Sequence, residues 1–70
     1  MIYVKIYSSY DEEWVASYIA ENDAHIDMFW HNFLMLAPPG TYRLYRKISF
    51  NSGFGKEEAW YEFVKEAVKD

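Results

Sequence analysis

The sequence contains no cysteine, which excludes disulfide bonds, thiolate metal sites and a cysteine nucleophile. Apolar runs are short, and none reaches the roughly 18 residues that a membrane-spanning helix needs. The first residues also lack the basic start and long apolar run of a signal peptide. We therefore expect a protein of the cytoplasm, which includes the cytoplasm of an infected host cell, without membrane contact.

Motifs for catalysis and for metal or cofactor binding are missing as well. No nucleophile elbow and no serine, histidine and aspartate set stands at a motif spacing. Asp27 and His31 lie four residues apart, but His25 faces another way and no third ligand follows at helical spacing. The segment 53–56, Gly-Phe-Gly-Lys, lacks the glycine and hydroxyl spacing of a phosphate-binding loop. We expect no enzyme activity, no metal and no cofactor.

Aromatic residues, by contrast, are abundant. Three tryptophans, seven tyrosines and five phenylalanines make up 21% of the 70 residues. A chain of this length forms one domain, residues 1–70, with a small interior, so its stability depends on ring packing or on a partner. A homodimer is one such possibility. The net charge of −4 argues against a protein that mainly grips phosphate backbones.

The N-terminal part predicts a strand and then a helix. Apolar and polar residues alternate over residues 2–7, the pattern of a half-buried strand. Ser9 stands three residues before Glu12, the spacing of a capping box at a helix start. The apolar spacing that follows predicts a helix from Tyr10 to about Glu21.

The remainder predicts a helix, a strand and a helix. Asp23 is a suitable cap for the middle helix. Strict alternation over residues 41–50 indicates a second strand. Residues 56–69 place an apolar stripe on one helical face. The apolar positions are Ile26, Phe29, Trp30, Phe33 and Ala37 in the middle helix and Ala59, Trp60, Phe63, Val64 and Ala67 in the last one.

The predicted fold is therefore α+β in the order β-α-α-β-α, with two paired strands covered by helices on one face. An alternative assigns residues 28–36 to a strand, closed into a hairpin by residues 37–40. That arrangement is β-α-β-β-α with a three-stranded antiparallel sheet.

Three surfaces are predicted to bind a partner. The outer strand face interleaves aromatic rings with cations, which suits either protein contact or single-stranded nucleic acid. An exposed ridge on the middle helix carries methionines, which adapt to many partners. Phe54 stands between two glycines at a loop tip. The residues are Tyr3, Lys5, Tyr7, Arg43, Tyr45 and Lys47 on the strand face, and Met28, His31 and Met35 on the ridge.

An acidic stripe at four-residue intervals runs along the predicted last helix: Glu58, Glu62, Glu66 and Asp70. Such spacing resembles that of phosphates in a nucleic acid. Because Lys65 and Lys69 lie on the same predicted face, an ordinary solvated face with charge pairs is the expected explanation.

These features predict a non-enzymatic protein-binding module. Its size and charge suit a small acidic inhibitor or adaptor, of the type that phages direct against a host defence or nucleic-acid enzyme, which occludes a partner surface. Single-stranded nucleic acid binding on the strand face and homo-oligomeric assembly are the alternatives.

Overall fold

The fold is a four-stranded antiparallel sheet with one helix packed on one face. The computed structural model describes residues 1–51 and 57–70, and for residues 50, 51, 57 and 58 it describes the backbone alone. The strand order in the sheet is β2-β1-β3-β4. In chain order the elements are β1 (Ile2–Ser8), β2 (Glu13–Ala20), α1 (Asp23–Leu36), β3 (Gly40–Asn51) and β4 (Glu57–Lys69).

The predicted order β-α-α-β-α with a two-stranded sheet is wrong. The segments assigned to the first and last helices form β2 and β4 instead. The alternative three-stranded fold is also wrong, because residues 28–36 lie within α1. The two predicted strands and the middle helix are confirmed, and the two strands pair with each other as β1 and β3.

The first error lies in a tight turn that resembles a helix start. The Ser8 hydroxyl accepts a hydrogen bond from the Asp11 backbone N–H at 3.2 Å and donates one to the Asp11 carboxylate at 3.1 Å. The Glu12 N–H then donates to the Ser8 carbonyl, and Glu12 has a φ of 56°. Serine and carboxylate side chains bond to nearby backbone in turns as readily as at helix caps. The turn reverses the chain, and the aromatic and β-branched residues after it form β2.

The second error comes from a bulge in β4. Tyr45 pairs with Phe63 and Leu44 pairs with Lys65, so Val64 is an extra residue in the strand. An extra residue breaks the period-two alternation at that point. The apolar residues on either side of the bulge therefore recur at spacings that resemble a helical stripe. Strand β2 has a similar irregularity. Val15 is its extra residue and interrupts the alternation of apolar and polar side chains in that strand.

The hydrophobic core lies between α1 and one face of the sheet. Helix α1 begins after Asn22, whose side chain accepts a hydrogen bond from the His25 N–H at 3.0 Å, so Asn22 and not Asp23 is the cap. The predicted apolar stripe of the helix faces the sheet, and Tyr18 of β2 stacks on Phe29. The buried residues are Val4, Ile6, Ala20, Ile26, Trp30, Ala37, Tyr42 and Leu44.

Two lysines of β4 fasten the helix to the sheet. The Lys69 ammonium donates to the carbonyl oxygens of Ala37 at 2.6 Å and Met35 at 3.0 Å, where the helix ends. A cation at this position complements the negative end of the helix dipole. Lys65 pairs with Asp27 at 3.1 Å. Both lysines thus bind α1 on one face of the sheet, the helix-covered face. The helix does not extend to the opposite face.

Candidate binding site on the open sheet face

The sheet face opposite α1 is not covered by any described element, and we call it the open face. Antiparallel register places its side chains in rows across the four strands. In the order β2, β1, β3, β4, the rows are Ile19, Tyr3, Lys47 and Tyr61; then Ser17, Lys5, Tyr45 and Phe63; then Trp14, Tyr7, Arg43 and Glu66.

A network of aromatic rings joins these rows. The Trp14 ring lies 5.6 Å from Tyr7, 5.3 Å from Tyr45 and 5.2 Å from Tyr61, measured between ring centroids. Tyr45 in turn contacts Phe63 at 5.9 Å. Most of these pairs meet edge to face, the arrangement that ring quadrupoles favour. Trp14 remains 43% exposed and Phe63 53% exposed, so the network offers ring surface to a partner.

Two lysines lie among the rings and have no carboxylate partner in the described part of the chain. The Lys5 ammonium is 5.4 Å from the centroid of Trp14 and 5.0 Å from that of Tyr61. The Lys47 ammonium is 5.4 Å from the centroid of Tyr3. These are cation–π distances, and among the described residues neither lysine forms an ion pair. Both charges are therefore available to an anionic ligand.

The third cation of the open face is already paired. Arg43 donates from Nε to the Glu66 carboxylate at 2.8 Å. This hydrogen bond is the main cause that raises the pKa of Arg43 above its ordinary value, and contact with Tyr45 adds to it. The described side chains of the open face are thus unevenly charged along the strands, with cations outside any described ion pair toward Lys47 and a neutral pair at the Arg43 end.

The charge of the open face has the opposite sign to that of the whole chain. Among the open-face residues whose side chains are described, Lys5, Arg43 and Lys47 stand against Glu66, a net +2, whereas the chain carries −4. The other described carboxylates lie elsewhere. They occupy the β1–β2 turn and the region of α1, the helix-covered face of β4 and the C-terminal residue.

A groove of about 550 Å³ opens at the Lys47 end of the open face. That volume falls within the range of small-molecule sites. Its wall combines the two unpaired lysines with three hydroxyls and one aliphatic side chain. These open-face residues are Tyr3, Lys5, Ser17, Ile19, Lys47 and Tyr61, and Val4 and Tyr18 also contribute to the lining.

The predicted strand-face residues do share one face, as the register shows for all six of them. Their role in binding stays a prediction. The sequence interpretation missed Trp14, Tyr61 and Phe63, because it assigned them to helices. In β4 the available signal was the alternation of Ala59, Tyr61 and Phe63 with Trp60 and Glu62, which is regular up to the bulge.

The methionine ridge lies on the outer side of α1, away from the open face. Met28 is 62% exposed, Met35 is 76% exposed and His31 is also exposed. Near the end of the helix, Phe29, Phe33 and Leu36 help to line a second groove of about 340 Å³. Phe54 and the segment 53–56 lie outside the described residues.

The acidic stripe does not exist as a helical face, because β4 is a strand. Glu62 lies on the helix-covered face and binds Arg46 at 3.4 Å, whereas Glu66 lies on the open face beside Arg43. Asp70 follows the end of β4. For Glu58 the structure describes the backbone alone. Cross-strand pairing with β3 explains Glu62 and Glu66.

Comparison of the chain with protein-family profiles, with curated proteins and with solved structures found no match. In the described part of the chain, no set of three histidine, aspartate or glutamate side chains is placed to hold a metal ion. The same part has no helix with the length and apolar character required to cross a membrane. The open face therefore has to be interpreted from its own chemistry.

Proposed function

We propose that the protein binds single-stranded nucleic acid through the open face. The observation that carries the proposal is the combination of half-exposed rings with lysines that form no ion pair among the described residues, on a sheet face that no described element covers, in a chain of opposite net charge. Single-stranded nucleic acid is bound by surfaces of this composition, because bases stack on rings while cations hold the phosphates.

Each component of the open face has a place in such binding. Phe63 and Tyr3 are about half exposed and offer ring surface to unstacked bases. Lys5 and Lys47 form no ion pair in the described structure, so contact with a phosphate breaks no existing salt bridge. A duplex keeps its bases stacked inside and presents only phosphates to this surface. The proposal therefore includes a preference for single strands.

The acidic balance of the chain does not oppose this function. The carboxylates of the turn and of α1 lie off the open face, and salt screens exposed charges beyond roughly 8 Å at physiological ionic strength. A nucleic acid on the open face lies closer to its described side chains, which sum to +2, than to the carboxylates elsewhere in the chain.

Fluorescence anisotropy with a labelled single strand of about twelve nucleotides tests the proposal, since comparable domains cover about 4 to 16 nucleotides. We expect binding at low salt that weakens as salt rises, and weaker binding to a duplex of the same length. The Lys5→Gln/Lys47→Gln variant should lose most of the affinity. Lys65→Gln is the matched control, because Lys65 pairs with Asp27 on the other side of the sheet. Absence of binding at low salt, or equal binding by the double variant, would contradict the proposal.

Binding to another protein is the second candidate function, and the outer side of α1 favours it. Met28, Met35 and Leu36 are largely exposed there, beside the groove of about 340 Å³. Exposed apolar side chains that cluster in this way are typical of protein contacts. A small acidic inhibitor or adaptor would use this surface to occlude its partner.

Affinity capture with variants of the two surfaces separates the candidates. We expect the Met28→Gln/Met35→Gln/Leu36→Gln variant to lose a protein partner that the Lys5→Gln/Lys47→Gln variant retains. If the helix variant captures the same proteins as the unmodified chain, this second function is wrong.

A further inference from the structure

The groove at the Lys47 end of the open face has the composition of a site for one nucleotide. We propose that it holds a single nucleotide unit of the bound strand, with the base against Tyr3 and Tyr61 and the phosphate between Lys5 and Lys47. This inference rests on the proposed function, because the groove is part of the same face. It adds a defined position at which the strand is anchored.

The cations favour this end of the open face over the other. Lys5 and Lys47 both line the groove, and none of its described lining residues is a carboxylate. At the opposite end, Glu66 already occupies the guanidinium of Arg43 at 2.8 Å. A phosphate at that end would have to displace a carboxylate from a charge-assisted hydrogen bond. In the groove, the contacts of the two lysines with described residues that a phosphate would replace are cation–π contacts, which are weaker than a charge-assisted hydrogen bond.

The rings and hydroxyls account for the rest of the nucleotide. Tyr3 is 48% exposed and Tyr61 is 36% exposed, and they lie in one row on β1 and β4, on either side of Lys47. Their ring surfaces suit a planar base, and Ile19 adds an aliphatic side chain to the lining of the groove. The hydroxyls of Tyr3, Tyr61 and Ser17 supply donors and acceptors for the sugar and the base edge.

A nucleotide can reach this groove either free in solution or as part of a strand, and the shared chemistry is a base next to a phosphate. Nuclear magnetic resonance with uridine monophosphate, uridine and inorganic phosphate separates the components. We expect uridine monophosphate to shift the ring signals of Tyr3 and Tyr61 and the methyl signals of Ile19. Uridine or phosphate alone should bind at least about tenfold more weakly, because each lacks one half of the contacts.

Variants locate the site on the open face. Lys47→Gln should weaken uridine monophosphate at least about tenfold, since it removes a charged hydrogen-bond donor. Tyr3→Leu should weaken it while keeping the apolar bulk of the strand. Arg43→Gln, at the other end of the same face, should leave its affinity unchanged. An unlabelled single strand should displace uridine monophosphate from the groove signals.

Several results would overturn the assignment while leaving the proposed function intact. One is an oligonucleotide that binds although uridine monophosphate shifts no groove signal. Another is inorganic phosphate that binds as tightly as uridine monophosphate, which removes any role for the base. An oligonucleotide that binds without displacing uridine monophosphate from the groove would also show that the groove does not anchor the nucleic acid. If neither the strand nor the nucleotide binds, both the proposed function and this inference are wrong.

Discussion

The rings of Trp14 and Tyr61 lie 5.2 Å apart, although they belong to the two outer strands of the sheet. The backbones of strands separated by two others are about 14 Å apart. Both side chains must therefore reach inward over β1 and β3. Between them they hold the Lys5 ammonium, which is about 5 Å from each ring centroid. The open face is thus partly enclosed by its own edge strands.

The contact between Trp14 and Tyr61 should contribute measurably to stability. In a double-mutant cycle of Trp14→Ala and Tyr61→Ala, we expect a coupling free energy of about 0.5–1.5 kcal/mol, the usual value for an aromatic pair. Urea unfolding of the four proteins measures it. Tyr10 is 86% exposed and supplies the control, since Trp14→Ala with Tyr10→Ala should be additive. If both cycles gave the same coupling free energy, the coupling would not come from the contact between the Trp14 and Tyr61 rings.

The β1–β2 turn should depend on Ser8 and not on its neighbour Ser9. The Ser8 side chain is buried and exchanges two hydrogen bonds with Asp11. Ser8→Ala should lower the free energy of unfolding by about 1–2 kcal/mol, because it leaves the Asp11 groups without that partner. The Ser9 hydroxyl is buried without a partner in the described structure, so Ser9→Ala should leave stability unchanged or slightly higher. Chemical denaturation compares the two, and the reverse order would refute the assignment of the turn.

The two lysines that fasten α1 should differ in their contribution. Lys69→Gln removes a cation from two carbonyl oxygens at the helix end, and we expect a loss of about 1–2 kcal/mol. Lys65→Gln breaks an ion pair with Asp27 that is largely exposed, so the loss should be about 0–1 kcal/mol. Thermal and urea unfolding measure both. A larger effect at Lys65 would mean that the helix end is not held through Lys69.

Removal of Glu66 should strengthen nucleic acid binding. Glu66→Gln releases Arg43 and raises the local charge of the open face by one. The dependence of log affinity on log salt should then steepen by about 0.7, the value for one further phosphate contact on a single strand. The measurement is anisotropy with the labelled oligonucleotide over a range of salt concentrations.

Glu62→Gln is the matched control for this experiment. It removes the same charge from the same strand, but Glu62 pairs with Arg46 on the helix-covered face. Its salt dependence should equal that of the unmodified chain. If both substitutions tighten binding equally, the effect comes from net charge and the open face is not the binding surface.

Local sequence patterns identified the elements whose alternation or helical period is uninterrupted. Residues 2–7 and 41–50 alternate regularly, and they lie within β1 and β3. Residues 23–36 repeat their apolar positions with a helical period and form α1. The alternation of β1 also predicted that Tyr3, Lys5 and Tyr7 share a face, which their pairing with the neighbouring strands confirms.

The two edge strands could not be identified in this way. An extra residue, Val15 in β2 and Val64 in β4, interrupts the alternation of each strand. Across such a bulge, residues on the same face of the sheet are an odd number of positions apart, so their spacing resembles a helical period. Only the pairing of each strand with its neighbour establishes which residues lie on which face.

The sequence by itself determined the absence of thiol chemistry, the abundance of rings, two central strands and one helix, because these depend on composition and on local periodicity. The tertiary structure decided how the outer strands meet over the sheet. Trp14 and Tyr61 are 47 positions apart in the sequence, and their contact depends on the strand order and on the bulges. Long-range pairing likewise decided that Glu66 neutralises Arg43 while Lys5 and Lys47 stay unpaired among the described residues. That difference is what distinguishes the two ends of the open face.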